Sequence, residues 1–160
     1  IELSLYPAHH PSDDVRVVLN GEDISQIIRT AEMAMIASKT SANPIVREKL
    51  TEMQRAFGKK GAIVAEGRDT GTVVFPNAKY KFFLEATPET RTKRRALQLI
   101  KKGESVDEKA LFAMIVERDK NDRERAIAPL KMAEDSYLID TSDLSREQVK
   151  EEMLKVIKNK

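Results

Sequence analysis

A short apolar run that ends at a glycine and then presents a cation beside a carboxylate constrains this chain most. The run occupies residues 62–72 and reads AIVAEGRDTGT. The pattern predicts a buried strand over Ala62–Glu66 that breaks at Gly67 and places Arg68 and Asp69 at its carboxyl end. In open α/β sheets this end faces the ligand crevice, so the pair suits a small ligand with phosphate and polar groups. The alternative is that Arg68 and Asp69 pair with each other in a loop.

Further strands and helices alternate along the chain after this run. Thr72–Pro76 is expected as an extended connector, Lys79–Leu84 as a second buried strand with core residues at 82–84, and Tyr137–Ile139 as a third strand. Helix starts are indicated at Thr87-Pro88, at a capping box beginning with Ser105, and at a capping box beginning with Ser145. The first of these helices is expected to run to Gly103. Strands separated by helices of this length predict an α/β fold with a parallel sheet.

The N-terminal third contains its own turn and helix-capping signals. Val15–Leu19 is expected as a strand, and Asn20-Gly21 is a strong turn signal. Thr30 is placed to cap one helix, while Asn43-Pro44 marks the start of another that Gly58 closes. Two helices and a strand are therefore expected before the central run.

Composition excludes several classes of protein. The 160 residues are 41% hydrophobic and 34% charged, which is typical of a folded domain that binds no membrane. The net charge of +2 does not favour a nucleic-acid binder. There is no cysteine, which is consistent with a cytoplasmic protein, and the two histidines lack metal-ligand spacing. No protein ligand for a metal is therefore expected.

Arginines are concentrated in one part of the chain. Six of them lie in a 35-residue window: Arg91, Arg94, Arg95, Arg118, Arg123 and Arg125. Because guanidinium groups bind phosphate oxygens in a planar, bidentate manner, this clustering indicates a polyanionic small molecule. The alternative is a solvated helix face, since seven acidic residues share the window.

Three of these side chains have helical spacing. Arg118, Asp122 and Arg125 lie at i, i+4 and i+7, so one helical face could hold a phosphate and a sugar hydroxyl. Spacing alone favours a self-paired surface ladder. Two arginine-rich helices joined by a turn at Gly103 also resemble a flap that closes over phosphates. The sequence offers no Ser-His-Asp or Cys-His arrangement, whereas phosphoryl transfer needs mainly positioning and charge neutralisation.

Several motifs in order resemble the bacterial cytidylate kinase family. They are the runs NGEDI at 20–24, IRT at 28–30, ASK at 37–39, VRE at 46–48, EGRDTGTVVFP at 66–76, and 117–130, which begins ERD and ends APL. The resemblance extends from about residue 15 to the C-terminus. It implies a P-loop nucleoside monophosphate kinase-like fold, which is α/β with flanking helices. It also implies an enzyme that transfers a phosphoryl group from ATP, with Mg²⁺, to CMP or dCMP.

The resemblance also implies residue roles. Ser38, Arg47 and Asp69 would read cytosine, and Arg68 with Arg125 would hold the monophosphate. Arg118 and Asp122 would meet the pentose, and Arg118 could also reach the transferring phosphate. The lid near ATP would contain Arg91, Arg94 and Arg95. Magnesium would be carried by the nucleotide.

The family's P-loop motif is absent from this sequence, because Phe57-Gly58-Lys59-Lys60-Gly61 lacks the required glycine spacing and hydroxyl residue. The P-loop strand and helix of the family are therefore expected upstream of Ile1. We expect one truncated kinase domain, 1–160, divided into a monophosphate-binding insert (15–57), core strands (58–86), an arginine-rich lid (87–126) and a C-terminal strand and helix (127–160). This chain would be inactive alone. The alternatives are pairing with a missing N-terminal segment, self-association, or a non-catalytic homologue that binds CMP.

Overall fold

A computed structural model describes residues 2–7, 15–41, 43–59 and 61–159. His9 and His10 lie outside these ranges. The chain divides into two compact units, Ile1–Leu50 and Thr51–Lys160, and the division falls within one helix. We describe each unit by itself. The expected single kinase domain with four sections remains a prediction.

The first unit contains a small antiparallel sheet. Its strands in order are β1 (Leu3–Tyr6), β2 (Arg16–Leu19) and β3 (Glu22–Asp23). Asn20 and Gly21 have φ angles of 49° and 86°, which is the left-handed backbone that a tight hairpin turn requires. The predicted strand and turn are confirmed here.

Two helices follow, and their caps agree with the sequence pattern. Helix α1 spans Ala31–Thr40, and the Thr30 hydroxyl accepts a hydrogen bond from the Met33 amide at 3.2 Å. Helix α2 spans Pro44–Gly58, with the Asn43 side chain accepting from the Ile45 amide at 3.0 Å. These side chains satisfy amide groups that a helix start leaves without an intrahelical acceptor.

The second unit is an α/β arrangement with a parallel sheet. Its later elements are β4 (Phe82–Glu85), α3 (Pro88–Lys101), α4 (Glu108–Glu124), β5 (Tyr137–Asp140) and α5 (Arg146–Lys158). Strands β4 and β5 pair in parallel, with Phe82 opposite Tyr137 and their ring centroids 5.9 Å apart. Helices α3 and α4 pack against each other. The predicted fold class, α/β with a parallel sheet and flanking helices, is confirmed.

The predicted strand Ala62–Glu66 is wrong. Residues 61–67 form no strand, Ala62 has a φ of 52°, and the Val64 side chain is fully exposed. A β-strand exists only as part of a ladder that satisfies its amides and carbonyls. Within the described ranges no strand pairs with this run, and its residues are exposed.

The expected extended connector Thr72–Pro76 is also wrong. Thr70–Val74 forms a π-helical turn, and the Asp69 carbonyl accepts the amides of residues 72, 73 and 74 at 3.3, 2.8 and 3.2 Å. The β-branched residues of this run favour extended backbone, but the turn buries Val74. Tertiary packing therefore overrides local propensity here.

Smaller corrections concern element ends. Asp107, rather than Ser105, caps α4, because its carboxylate accepts the amides of residues 109 and 110. Helix α3 ends before Gly103, whose φ is 83°. Strand β4 begins at Phe82 instead of Lys79, and Leu84 is exposed instead of lying in the core. The Ser145 capping box of α5 and the β5 strand are confirmed.

Candidate functional site

The predicted base-reading residues are divided between the two units. Ser38 lies in α1, and its side chain is outside the described part of the chain. Arg47 lies in the first turn of α2, where its Nε donates a hydrogen bond to the Ser41 carbonyl at 3.0 Å. Both belong to the first unit, whereas Asp69 belongs to the second. Their joint role stays a prediction.

Arg68 contacts a residue 54 positions away in the sequence. Its Nε donates to Oδ2 of Asp122 at 2.8 Å, and Asp122 is buried in α4. The contact joins the loop that follows Gly67 to the arginine-rich helix. A Cβ at position 67 would lie 2.3 Å from the Thr70 hydroxyl oxygen, so glycine permits the close approach that directs the chain into the turn.

Asp122 lies among three guanidinium groups. Besides Arg68, Arg118 approaches the same carboxylate oxygen at 3.9 Å, and Arg125 approaches Oδ1 at 3.9 Å. The i, i+4 and i+7 spacing therefore brings Arg118, Asp122 and Arg125 together, although Arg125 lies just beyond the helix end. The Arg–Asp–Arg pairs that spacing alone favoured do form, but not as the expected surface ladder, because Asp122 and Arg125 are largely shielded and Arg68 joins from another segment.

Arg125 links this ladder to Asp69. Its Nη2 lies 4.0 Å from Oδ1 of Asp69, and its Nε donates to the Ala128 carbonyl at 2.6 Å. The amide of Leu130 donates to the Asp122 carbonyl at 2.7 Å, so residues 126–130 fold back on the helix end. This turn holds the Arg125 side chain beside the loop that carries Arg68 and Asp69.

The group formed by Arg68, Asp69, Arg118, Asp122 and Arg125 is hereafter the arginine cluster. It contains three cations and two carboxylates, which leaves one net positive charge. The side chains of Asp122, Asp69 and Arg125 are only 10%, 13% and 18% exposed. Charges so shielded interact more strongly than charges on the surface. Such a cluster can bind a phosphate through guanidinium groups and a hydroxyl through a carboxylate.

The three predicted lid arginines lie on α3 and have different partners. Arg91 pairs with Asp119 of α4, and the hydrogen bond that it donates to the Asp119 carboxylate raises the pKa of Arg91 above its usual value. Arg94 donates to the carbonyls of Thr141, Ser142 and Leu144 and to the Thr141 hydroxyl. Arg95 donates to the Gln98 side chain at 3.3 Å. Their role near ATP stays a prediction.

Sequence reasoning missed several residues around the cluster. Arg55 and Lys81 bind backbone carbonyls of the segment that follows Asp69. Lys81 could have been found, because it lies within the predicted apolar strand Lys79–Leu84, where a buried lysine needs a charged partner. Arg55 gave no signal, since an arginine in the last turn of an exposed helix is commonplace.

Two general findings concern the described residues. Within them, no group of three or more His, Asp or Glu side chains is arranged to hold a metal ion. None of the helices in the described ranges has the length and apolar character needed to cross a membrane.

Comparison with known proteins gives a consistent result. The family model described as cytidylate kinase matches residues 3–159. A protein named cytidylate kinase from Geobacter sp. (strain M21) is 48% identical to this chain, over 91% of this chain and 62% of that protein. The protein of the same name from Syntrophotalea carbinolica is 49% identical, over 89% of this chain and 60% of that protein. The one from Salmonella arizonae is 50% identical, over 92% of this chain and 65% of that protein. The chain thus spans somewhat less than two thirds of the length of these curated relatives.

Proposed function

This chain belongs to the cytidylate kinase family, and we propose that it supplies the CMP-binding and lid parts of a cytidylate kinase. The reaction would transfer a phosphoryl group from ATP to CMP or dCMP, giving ADP and CDP or dCDP. The observation that carries this proposal is the arginine cluster, in which three guanidinium groups and two carboxylates from distant segments lie together. The expected cytoplasmic location belongs to the same proposal.

The monophosphate of CMP would bind Arg68 and Arg125. Both are donors whose planar groups match phosphate oxygens, and both already contact carboxylates that a bound phosphate could replace. Arg118 is the most exposed of the three cluster arginines near Asp122, with 56% of its side chain accessible. It would therefore reach both the pentose and the transferring phosphate, while Asp122 accepts a hydrogen bond from a pentose hydroxyl.

Cytosine recognition would use Ser38, Arg47 and Asp69. The exocyclic amine of cytosine is a donor that suits a carboxylate, whereas its ring nitrogen and carbonyl accept hydrogen bonds from a guanidinium or a hydroxyl. Uracil presents the opposite pattern at the exocyclic position and would leave the carboxylate facing an acceptor. Discrimination of CMP from UMP is thus the most informative property to measure.

The lid role of Arg91, Arg94 and Arg95 would place positive charge near the ATP phosphates. Mg²⁺ bound to ATP would neutralise charge on the transferring group. The described carboxylates do not form a metal site of their own, so we assign no ligand of this chain to the ion. The chain's own contribution is to bind, orient and neutralise the monophosphate.

A non-catalytic homologue is the second candidate. The printed sequence contains no P-loop motif, and the exposed residues 61–67 have no strand partner among the described residues. Under this alternative the chain binds CMP or self-associates without turnover. If a separately supplied segment that carries a P-loop pairs with residues 61–67 and gives an active protein, the kinase is favoured instead.

Calorimetric titration of the 160-residue chain with CMP, and with UMP as the control, tests the proposal. We expect selective CMP binding that is weakened in Asp69→Asn, and no turnover with ATP and CMP by the chain alone. A relative's P-loop segment supplied in trans should then restore CDP formation. Equal affinity for CMP and UMP in a folded sample would refute the assigned base recognition. Unchanged affinity and continued inactivity with the added segment would favour the non-catalytic homologue.

A further inference from the structure

The Arg68–Asp69 pair follows a segment that forms no strand and is exposed along its length. Residues 61–67 are exposed and form no strand, although the sequence predicted a buried strand there. A run of this kind has few buried contacts, and such regions open at low free-energy cost. The positions of Arg68 and Asp69 therefore depend on the residues that follow them and on their contacts with Asp122 and Arg125.

The segment Asp69–Pro76, hereafter the anchor turn, follows the pair directly. Within it, the carbonyls of Asp69 and Thr70 accept amide hydrogen bonds from residues 72–75. The carbonyls of Val73, Val74 and Pro76 instead accept hydrogen bonds from two cationic side chains outside the turn.

The first cation is Arg55, in the last turn of α2. Its Nη2 donates to the Val73 carbonyl at 2.7 Å and its Nε to the Val74 carbonyl at 3.1 Å. Close packing supports the same contact, because a Cβ at Gly58 would lie 2.5 Å from the Phe75 ring. A side chain at position 58 would force the Phe75 ring to move away from the helix.

The second cation is Lys81, which immediately precedes β4. Its side chain is only 6% exposed and is paired with Asp135 at 2.7 Å. Its Nζ also donates to the Pro76 carbonyl. A buried lysine is costly unless its charge is matched, and here the carboxylate and the carbonyl together provide that match. Lys81 thus holds the end of the anchor turn against the start of the sheet.

We infer that Arg55 and Lys81 are positioning residues that clamp the anchor turn by its carbonyls and thereby place Arg68 beside Asp122 and Asp69 beside Arg125. Arg55 donates to the Val73 and Val74 carbonyls, and Lys81 to the Pro76 carbonyl and Asp135, so both act on the cluster through the anchor turn. Their effect on nucleotide selectivity rests on the proposed function, whereas their effect on the Arg68–Asp122 contact does not.

The direct test observes the Nε–H group of Arg68 by nuclear magnetic resonance in the free chain, with the signal assigned by its loss in Arg68→Lys. We expect hydrogen exchange of this group to accelerate about fivefold or more in Arg55→Met and in Lys81→Met, because opening of the anchor turn releases the contact with Asp122. Arg146→Met, an exposed arginine in the same unit, is the matched control and should leave the rate unchanged. Arg55→Lys should give an intermediate rate, since an ammonium can reach only part of the same acceptor pair.

The outcomes separate positioning from general stability. If Arg55→Met lowers the urea midpoint but leaves the Arg68 exchange rate at the wild-type value, the inference is overturned. Should Lys81→Met fail to fold, Arg55→Met and Arg55→Lys decide the matter alone. Accelerated exchange in Arg55→Met, with partial rescue by lysine, supports the clamp.

A second measurement extends the test to nucleotide selectivity. The ratio of CMP to UMP affinity should fall about tenfold in Arg55→Met, because Asp69 loses its fixed place, while a purely structural loss would lower both affinities together. Wild-type protein that does not distinguish CMP from UMP would refute the proposed function. The exchange rate of Arg68 would still decide the clamp.

Discussion

The arginine cluster and Arg94, both in the second unit, use the same kind of side chain for different contacts. In the arginine cluster, Arg68, Arg118 and Arg125 approach carboxylates. On α3, Arg94 instead binds three backbone carbonyls and a hydroxyl of residues 141–144, the loop after β5. A carboxylate partner can be exchanged for a phosphate of similar geometry and charge. The carbonyls that Arg94 binds belong to the folded loop itself, so Arg94 stabilises that loop in this structure, whereas the exchangeable partners of the cluster support the binding role that we propose for it.

The largest expected effect separates these two roles. We predict that Arg125→Met lowers CMP affinity by about tenfold to a hundredfold, because hydrogen bonds to a charged ligand contribute about 1.5–3 kcal/mol. Isothermal titration calorimetry measures the change. Arg123→Met is the matched control, since Arg123 is 59% exposed and pairs weakly with Glu85. Equal losses in both variants would mean that overall positive charge, rather than the cluster, attracts CMP.

The second expected effect concerns the free energy of unfolding. We predict that Arg94→Met destabilises the chain by about 1–2 kcal/mol, because several acceptors lose one shared donor at a partly exposed site. Urea denaturation followed by circular dichroism gives the value, with Arg95→Met as the control because Arg95 contacts only Gln98 in the described structure. If Arg94→Met unfolds at the wild-type urea concentration, the loop after β5 does not depend on this arginine.

The smallest effect tests the same loop through pH. Hydrogen bonds from the Ser142 hydroxyl and amide lower the pKa of Asp140. A lowered folded-state pKa contributes stability that is present above the unfolded-state pKa of about 3.9 and is lost as the pH falls through the folded-state value. We therefore expect Asp140→Asn to reduce the loss of stability on acidification, measured by urea midpoints below pH 5. Asp143→Asn makes the same change of net charge in the same loop and serves as the control. Identical acid profiles for Asp140→Asn and the wild type would contradict the prediction.

Local signals were reliable wherever a few neighbouring residues decide the backbone. The caps at Thr30, Asn43 and Ser145 formed as expected, and so did the Asn20-Gly21 turn. Each depends on one short polar side chain or on residues that adopt left-handed backbone readily, and both can be identified from residue type alone. The α/β class followed from the same kind of information, because alternating strands and helices limit the possible sheets.

Strand formation in the central run could not be decided locally. Ala62–Glu66 and Tyr137–Asp140 are both short and apolar, but only the second has a strand beside it in the described structure. Likewise, the β-branched residues at 72–74 predict extended backbone, whereas a π-helical turn forms there. Pairing partners and side chains distant in sequence determine both outcomes.

The sequence by itself determined the helix starts at Thr30, Asn43, Thr87 and Ser145, the Asn20-Gly21 turn, the α/β class, and the helical face that carries Arg118, Asp122 and Arg125. Only the tertiary structure decided that Arg68 binds Asp122 and that Arg94 binds carbonyls of the loop after β5. It also decided that Arg55 and Lys81 bind the carbonyls of the anchor turn. The physical reason is the range of the interaction. Caps and turns are satisfied within a few residues, whereas a guanidinium or ammonium group binds whichever acceptors the folded chain brings to it, and spacing along the sequence does not specify these.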